Sequence, residues 1–179
     1  MLEFILNQGA QIKKIIFILI QSILFSQSIP YFDSEKAFSY LELQCDFGPR
    51  YPSSEGHFKF KNYLEEFLQN NNPDSLIVYE HEVKHPYEDK DIILYNFLAR
   101  YNMKAENRIM LMAHWDTREI ADQDENPENH DKPILGANDG ASGVAVLMVL
   151  AEVLSQNKLK NIGIDLLFID GEDMGRSGD

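Results

Sequence analysis

Apolar positions at helical spacing predict two helices in the first part of the chain. The spacing after Ser34 predicts one helix, which Ser34 would cap and the glycine and prolines of residues 48–52 would end. A second helix is predicted over about residues 55–69, followed by a terminating asparagine-proline segment at 70–73. These helices precede the first strand signals.

The central and last parts of the chain predict strands around one more helix. Residues 76–84 and 92–101 alternate in part and are separated by a polar turn, which predicts a hairpin. Residues 108–114 and 162–170 are nearly all apolar, as expected of strands covered on both faces. An apolar helix is predicted between them, over residues 141–155. Strand, helix, strand in this order predicts a parallel crossover and an α/β fold.

The N-terminal segment has the pattern of a secretory signal peptide. A basic pair at residues 13–14 precedes an apolar run over 15–25, and small serines follow it. The run is shorter than the roughly 20 apolar residues of a membrane-spanning helix. We predict a signal peptide over residues 1–28 and a secreted or extracytoplasmic protein over 29–179, without stable membrane association after cleavage. An uncleaved anchor is the alternative.

Composition narrows the classes of partner and site. The formal net charge of -13 argues against nucleic acid and anionic membrane surfaces as partners. A length of 179 residues with 44% hydrophobic content suits one domain with a real core. Cys45 is the single cysteine, which excludes an internal disulfide and a cysteine-based metal site.

Acidic side chains follow the predicted strands at three places. His114 and Asp116 follow one strand, Asp139 lies in the glycine-rich turn before the helix, and Glu172 and Asp173 follow the next strand. In open parallel sheets, sites form beyond the carboxyl ends of neighbouring strands, which lie about 4.8 Å apart. Carboxylates gathered there destabilise the fold unless a cation neutralises them, and zinc binds Asp and Glu oxygens and His nitrogens.

Each feature also has a simpler interpretation. Asp139 or Ser142 would serve as a helix N-cap, and the neighbouring glycines would serve only a tight turn. Glu172 and Asp173 would be solvated residues after an Asp-Gly turn, and His114 a hydrogen-bonded structural histidine. The convergence of all three places favours the metal interpretation. A neighbouring carboxylate pair can also divide the work, one member binding metal and the other moving protons.

Three segments carry a resemblance to a known superfamily. They are "FDSEKAFSYLELQCDFGPRYPSSEGH" at 32–57, "AHWDTREIADQDENPENHDKPILGANDGASGVAVLMVLAEVL" at 113–154 and "IDLLFIDGED" at 164–173. Together they resemble the superfamily of zinc-dependent aminopeptidases and glutaminyl cyclases. The residues of the motifs are most similar to those of its secreted glutaminyl-peptide cyclotransferases. The resemblance implies a three-layer α/β sandwich around a mixed, mainly parallel sheet.

The resemblance also implies roles for the candidate residues. Asp139 matches a zinc-binding aspartate, Glu172 the general acid/base, and Asp173 a zinc ligand that is more often Glu in animal cyclases. His114 matches a histidine that binds a second zinc in the aminopeptidases but is not a ligand in the single-zinc cyclases. Asp116 would orient that histidine or the neighbouring loop.

The implied activity is that of a zinc-dependent glutaminyl-peptide cyclotransferase. Such an enzyme converts the N-terminal glutamine of peptides or proteins to pyroglutamate and releases ammonia. One alternative is a zinc aminopeptidase that hydrolyses N-terminal residues. The long acidic loop over residues 118–133 resembles the cyclases more than the aminopeptidases. The other alternative is a non-catalytic remnant that binds peptides or partners.

The resemblance implies a domain that continues past the "GED" segment and includes a further zinc-binding histidine. The remaining histidines, His57, His81, His85 and His130, do not match that ligand. The sequence therefore predicts that residues 29–179 are the N-terminal portion of a catalytic domain, truncated at its C-terminal side. We expect such a portion to be weakly stable and to have little activity.

Overall fold

A computed structural model describes Lys14 and residues 29–176. The chain divides into two compact units, residues 1–31 and 32–179, and the helices and strands named here lie in the second. The predicted signal peptide over residues 1–28 lies outside the described residues, apart from Lys14, and stays a prediction.

Two helices open the second unit, as the apolar spacing predicts. Helix α1 spans Ser34–Asp46 and helix α2 spans Glu55–Asn70. The expected cap of α1 is wrong by one position. Asp33 has extended backbone angles and its carboxylate accepts a hydrogen bond of 3.0 Å from the backbone N–H of Lys36, whereas Ser34 is already helical.

The rest of the unit is a sheet with a third helix. Strands β1, β2 and β3 span Ser75–Lys84, Asp91–Tyr101 and Arg108–His114. Helix α3 spans Ser142–Gln156, and strand β4 follows it over Gly163–Ile169. Within the described residues the sheet order is β1-β2-β4-β3. The predicted β1–β2 hairpin is confirmed, and β3 pairs in parallel with β4. Strand β2 pairs antiparallel with β4, so antiparallel pairs outnumber parallel ones in this part of a mixed α/β sheet.

The hydrophobic core lies on one face of this sheet. Phe97 of β2 lies opposite Phe168 of β4, and Ala99 lies opposite Leu166, which places these four buried side chains on the same face. Helices α2 and α3 cover them with Phe60, Leu64, Leu68, Val144, Leu147, Met148 and Ala151. The described helices therefore form one layer over the sheet.

Strand β3 is exposed on both faces, which corrects the expectation of a strand covered on both sides. On the face toward the core, Ile109 and Leu111 are 47% and 37% exposed. Met110 and Met112 are 50% and 58% exposed. They lie opposite Asp165 and Leu167 of β4, on the face away from the core. Strand β3 is at the edge of the described sheet, and the helices of the described part pack on the other face.

One helical stretch among the described residues, Ala137–Gln156, is long and apolar enough to cross a membrane by length and composition. It includes helix α3, whose Val144, Met148 and Ala151 are buried in the core against the sheet.

Candidate metal and catalytic site

The parallel pair of strands brings four of the candidate residues to one end of the sheet, where β3 and β4 both finish. His114 is the last residue of β3 and lies opposite Ile169, the last residue of β4. Asp116 follows β3, and Glu172 and Asp173 follow β4. The exits of the two strands therefore lie side by side, as the parallel arrangement predicts.

The turn before helix α3 brings Asp139 to the same end of the sheet. Residues Ala137–Ala141 form a π-type turn in which Asp139 is extended and Gly140 has a φ of 86°. A side chain at position 140 would meet the backbone O of Asp116 at 3.0 Å and the His114 ring at 3.2 Å. Helix α3 begins without a side-chain cap, and Asp139 contacts His114 instead. The N-cap interpretation of Asp139 is therefore wrong.

His114 lies among three carboxylates. Its Nε2 is 2.9 Å from Oδ1 of Asp139, and its Nδ1 is 3.5 Å from Asp116 and 3.9 Å from Glu172. Among the described residues Nδ1 has no hydrogen-bond partner, so its contact with Asp116 is an ion pair at a longer distance. The pKa of His114 is raised to about 9, most strongly by Asp116 and then by Asp139 and Glu172, although partial burial lowers it. The imidazole therefore carries a proton at neutral pH, which it must release before binding a metal.

Asp116 is fully buried and holds the loop that carries the other two acidic residues. Its Oδ1 accepts a hydrogen bond of 3.2 Å from the backbone N–H of Glu172, and its Oδ2 accepts one of 3.0 Å from that of Asp173. Asp116 thus positions the exit of β4 as well as lying beside His114.

Asp139 and Asp173 line one open cavity of about 330 Å³. Asp122 and Asp124 also line it, together with Arg118. Partial burial raises the pKa of Asp173, and the charges of Asp139 and Asp116 add to this against the opposing effect of Arg118. The cavity is therefore acidic, and its carboxylates repel one another.

The carboxylates that line this cavity, and the imidazole of His114 beside Asp139, are donor types that zinc binds. Among the described residues, the candidate ligands do not form a group of three whose ligand atoms all lie within 4.8 Å of one another. In the part of the chain that the structure describes, the only group of three such residues with ligand atoms within 4.8 Å of one another is His85, Glu88 and Glu119. In that group Nε2 of His85 lies 3.2 Å from Glu119, and Lys90 forms an ion pair with Glu88.

Comparisons with known proteins show related sequences and folds. The sequence pattern of Peptidase family M28 matches residues 96–178. The structure of Bacteroides thetaiotaomicron glutaminyl cyclase bound to N-acetylhistamine is 38% identical, with a TM-score of 0.78. The match covers 84% of this chain and 51% of that chain. The predicted resemblance to the zinc aminopeptidase and glutaminyl cyclase superfamily is confirmed.

Other solved members of the superfamily match similarly. Porphyromonas gingivalis glutaminyl cyclase is 36% identical with a TM-score of 0.78, over 84% of this chain and 52% of that one. A Zn-dependent exopeptidase from Parabacteroides distasonis is 34% identical with a TM-score of 0.75, over 83% and 50%. The chain therefore spans about half the length of the solved structures it matches. A search of curated proteins finds no match.

The structure shows a contact at the site that the sequence does not predict. Arg118 donates from Nη1 to Oδ1 of Asp173 at 3.3 Å, and from Nε and Nη2 to the two oxygens of Asp122 at 2.8 and 3.0 Å. The available signal was a basic residue at the start of an acidic loop. It did not indicate the contact with Asp173, because the two residues are distant in sequence.

A buried pair, His57 and Asp170, lies directly at the exit of β4. Oδ2 of Asp170 lies 2.8 Å from Nε2 of His57 and accepts a second hydrogen bond of 2.8 Å from the backbone N–H of Tyr95. Both side chains of the pair are 0% exposed, and burial raises the pKa of Asp170. The His57 ring stacks on Trp115 at 4.5 Å. Asp170 is therefore a buried anchor as well as the start of a turn.

Arg50 ties the site loops to the helices. It is 0% exposed and donates to the carbonyl oxygens of Gln44 and Trp115 at 2.8 and 3.2 Å. Its backbone N–H donates to Oγ1 of Thr117 at 2.8 Å. Burial lowers the pKa of Arg50 to about 10, so the guanidinium stays charged at neutral pH. The segment between α1 and α2 is thereby fastened to the exit of β3.

Proposed function

We propose that this chain carries zinc-binding and proton-transfer residues of a glutaminyl-peptide cyclotransferase, which acts on peptides or proteins with an N-terminal glutamine. The observation that carries the proposal is the convergence of the acidic residues at the neighbouring exits of β3 and β4. Asp139 and Asp173 line one cavity there, and Glu172 lies beside Asp173. The match to glutaminyl cyclases supports a zinc-dependent enzyme of this kind.

Asp139 and Asp173 are the residues that would hold zinc. Their carboxylate oxygens are suitable zinc ligands, and the charge of the cavity favours a divalent cation. Bound zinc would supply Lewis-acid polarisation of the γ-carbonyl of the substrate glutamine. His114, which contacts Asp139, would orient that carboxylate or take part in a second metal site.

Glu172 is the residue that would move the proton. Its side chain is 61% exposed, while its backbone N–H is held by the buried Asp116. In cyclisation the α-amine nitrogen forms a bond to the γ-carbonyl carbon, and the bond from that carbon to the amide nitrogen breaks. Glu172 would accept the proton that the amine loses and donate it to the departing ammonia. A positioned general acid/base of this type contributes about 10²- to 10⁴-fold to the rate.

The second candidate function is that of a zinc aminopeptidase. It is favoured by matches to a leucine aminopeptidase precursor from Bacteroides thetaiotaomicron and to the Parabacteroides exopeptidase. In this reaction Glu172 would take the proton of an attacking water. The same three residues would serve both reactions, so the substrate assay must separate them.

The test is a paired assay on a peptide that begins with glutamine, with zinc supplied to the chain. Ammonia release that is lost in Glu172→Gln would support cyclisation, and release of free glutamine would support the aminopeptidase. Zinc stoichiometry adds a second criterion, one ion for a cyclase and two for an aminopeptidase. If neither product forms, both activities are refuted for this chain, and binding of the same peptide without turnover would then support the non-catalytic role.

We also propose that the protein is exported, as a secreted or extracytoplasmic protein. The support is the basic, apolar and small-residue order of residues 1–28. N-terminal sequencing of the protein from its native source tests this, because cleavage near residue 28 is expected. An intact N-terminus in the mature protein would instead favour the uncleaved anchor.

A further inference from the structure

Arg118 is held in a fixed orientation at the edge of the acidic cavity. Its Nε and Nη2 form two parallel hydrogen bonds, of 2.8 and 3.0 Å, with the two oxygens of Asp122. Such a fork fixes the plane of the guanidinium as well as its position. The backbone O of Arg118 also accepts a hydrogen bond of 3.2 Å from Ile134, which ties the two ends of the loop together. The remaining nitrogen, Nη1, is thereby directed at Asp173.

Asp173 is fixed at two points. Its backbone N–H donates to the buried Asp116 at 3.0 Å, and its Oδ1 accepts from Nη1 of Arg118 at 3.3 Å. The contact with Arg118 involves Oδ1 alone, so Oδ2 lies outside it. The Arg118 and Asp173 side chains are only 17% and 13% exposed, which limits competition from water for this contact.

We propose that Arg118 is a positioning residue for metal binding, which holds Oδ1 of Asp173 so that the carboxylate offers its other oxygen to a divalent cation shared with Asp139. The inference rests on the proposed function, in which Asp173 is a zinc ligand. A partner that holds one oxygen of a ligating carboxylate sets its orientation, and loss of such a partner lowers metal affinity.

The charge of the cavity agrees with an orienting role for Arg118. Four carboxylates line it, those of Asp122, Asp124, Asp139 and Asp173, together with one guanidinium. The balance stays negative after Arg118 is counted, so a divalent cation is still attracted. Because two of the three hydrogen bonds of Arg118 go to Asp122, the guanidinium is held beside Asp173 without enclosing its carboxylate.

The zinc dissociation constant tests this inference directly, by competition with a chromophoric chelator. We expect Arg118→Gln to weaken zinc binding by about 10- to 100-fold. Arg118→Lys keeps the charge but lacks the fork, so we expect it to weaken binding as well. Asp122→Asn removes one charged acceptor of the fork, and we expect a smaller loss of affinity in the same direction.

Lys132→Gln is the matched control for charge. Lys132 lies in the same loop, and its Nζ donates to Asn129 at 2.9 Å. Its substitution changes the net charge as much as Arg118→Gln does, and we expect the zinc affinity to stay within about twofold of the parent, since surface charges act weakly. Urea unfolding curves of each variant establish that the compared chains are folded.

The possible outcomes separate this inference from the proposed function. Unchanged zinc affinity in Arg118→Gln, while Asp173→Ala abolishes binding, overturns the inference alone. Tighter binding in Arg118→Gln also overturns it, because Arg118 would then compete with the metal. Full affinity in Arg118→Lys overturns the positioning role, since a charge without a fork would suffice. A parent chain that binds no zinc contradicts the proposed function, and this inference with it.

Discussion

Two groups of charged side chains lie along strand β4 and beyond its end, and their charges are balanced differently. Within the strand, Asp165 accepts hydrogen bonds from Nε of Arg100 at 3.0 Å and from Nε of Arg108 at 2.9 Å. Beyond the end of the strand, Asp173 shares a cavity with further carboxylates, and its cationic contact is with Arg118. One cluster therefore has an excess of positive charge and the other an excess of negative charge.

The two clusters shift the pKa values of their aspartates in opposite directions. Hydrogen bonds from Arg108, and then Arg100, lower the pKa of Asp165. Burial, with the charges of Asp139 and Asp116, raises the pKa of Asp173. A carboxylate paired with arginines stabilises the fold by itself, whereas carboxylates in excess in a cavity are a candidate for binding a cation. The difference gives the site a physical basis independent of sequence similarity.

The largest expected effect is on zinc affinity, which should depend on the cluster beyond the end of β4 and not on the cluster around Asp165. Asp139→Ala and Asp173→Ala each remove a proposed ligand, and we expect each to weaken zinc binding by at least about 100-fold, more than the loss of a supporting residue. Asp165→Asn leaves the ligands in place and should bind zinc normally. The dissociation constants are measured by chelator competition. An equal loss in Asp165→Asn would show that zinc affinity reports the fold and not these ligands.

The next largest effect is on the free energy of unfolding, and it comes from the buried pair of Asp170 and His57. Asp170→Ala leaves His57 and the backbone N–H of Tyr95 without their partner, and we expect the free energy of unfolding to fall by about 2–3 kcal/mol. Urea unfolding measures it. Glu106→Ala, at an exposed position, should change the free energy by no more than about 0.5 kcal/mol. Similar small effects from both variants would refute the buried pair.

A smaller effect is expected when charge is removed from each cluster. Asp165→Asn breaks charged hydrogen bonds to two arginines and should lower the free energy of unfolding by about 1–2 kcal/mol. Asp139→Asn alters a side chain that is 74% exposed, and should change it by no more than about 0.5 kcal/mol without added metal. Denaturant unfolding of both variants in a chelating buffer tests the contrast. A larger loss in Asp139→Asn would contradict it.

The smallest effect is in the acid dependence of stability. Because Arg108 lowers the pKa of Asp165 in the folded chain, the stability from this pair is complete above the unfolded pKa of about 3.9 and is lost as the pH falls through the folded value. Unfolding of the parent between pH about 6 and 3 should therefore show a steeper loss than that of Asp165→Asn. Parallel curves for the two proteins would show that Asp165 does not contribute to the acid transition.

Local patterns were sufficient to predict most of the elements and the approximate place of the site. Alternation in residues 76–84 and 92–101 predicts strands because one residue in two faces the core. The apolar runs of β3 and β4 predict strands in which nearly every side chain avoids water. The candidates at the strand ends follow from one rule of parallel sheets. Helix starts were less certain, since Asp33 and Ser34 are both good caps and only backbone angles decide between them.

The sequence by itself determined the order of elements, the acidic strand exits and the resemblance to the superfamily, because these depend on short stretches of chain. Only the tertiary structure decided that Asp170 is buried against His57, that β3 is largely exposed, and that Arg118 contacts Asp173. These features join residues that are distant in sequence. Their partners are set by the packing of helices on the sheet and by the path of the long loop, on which local periodicity carries no information.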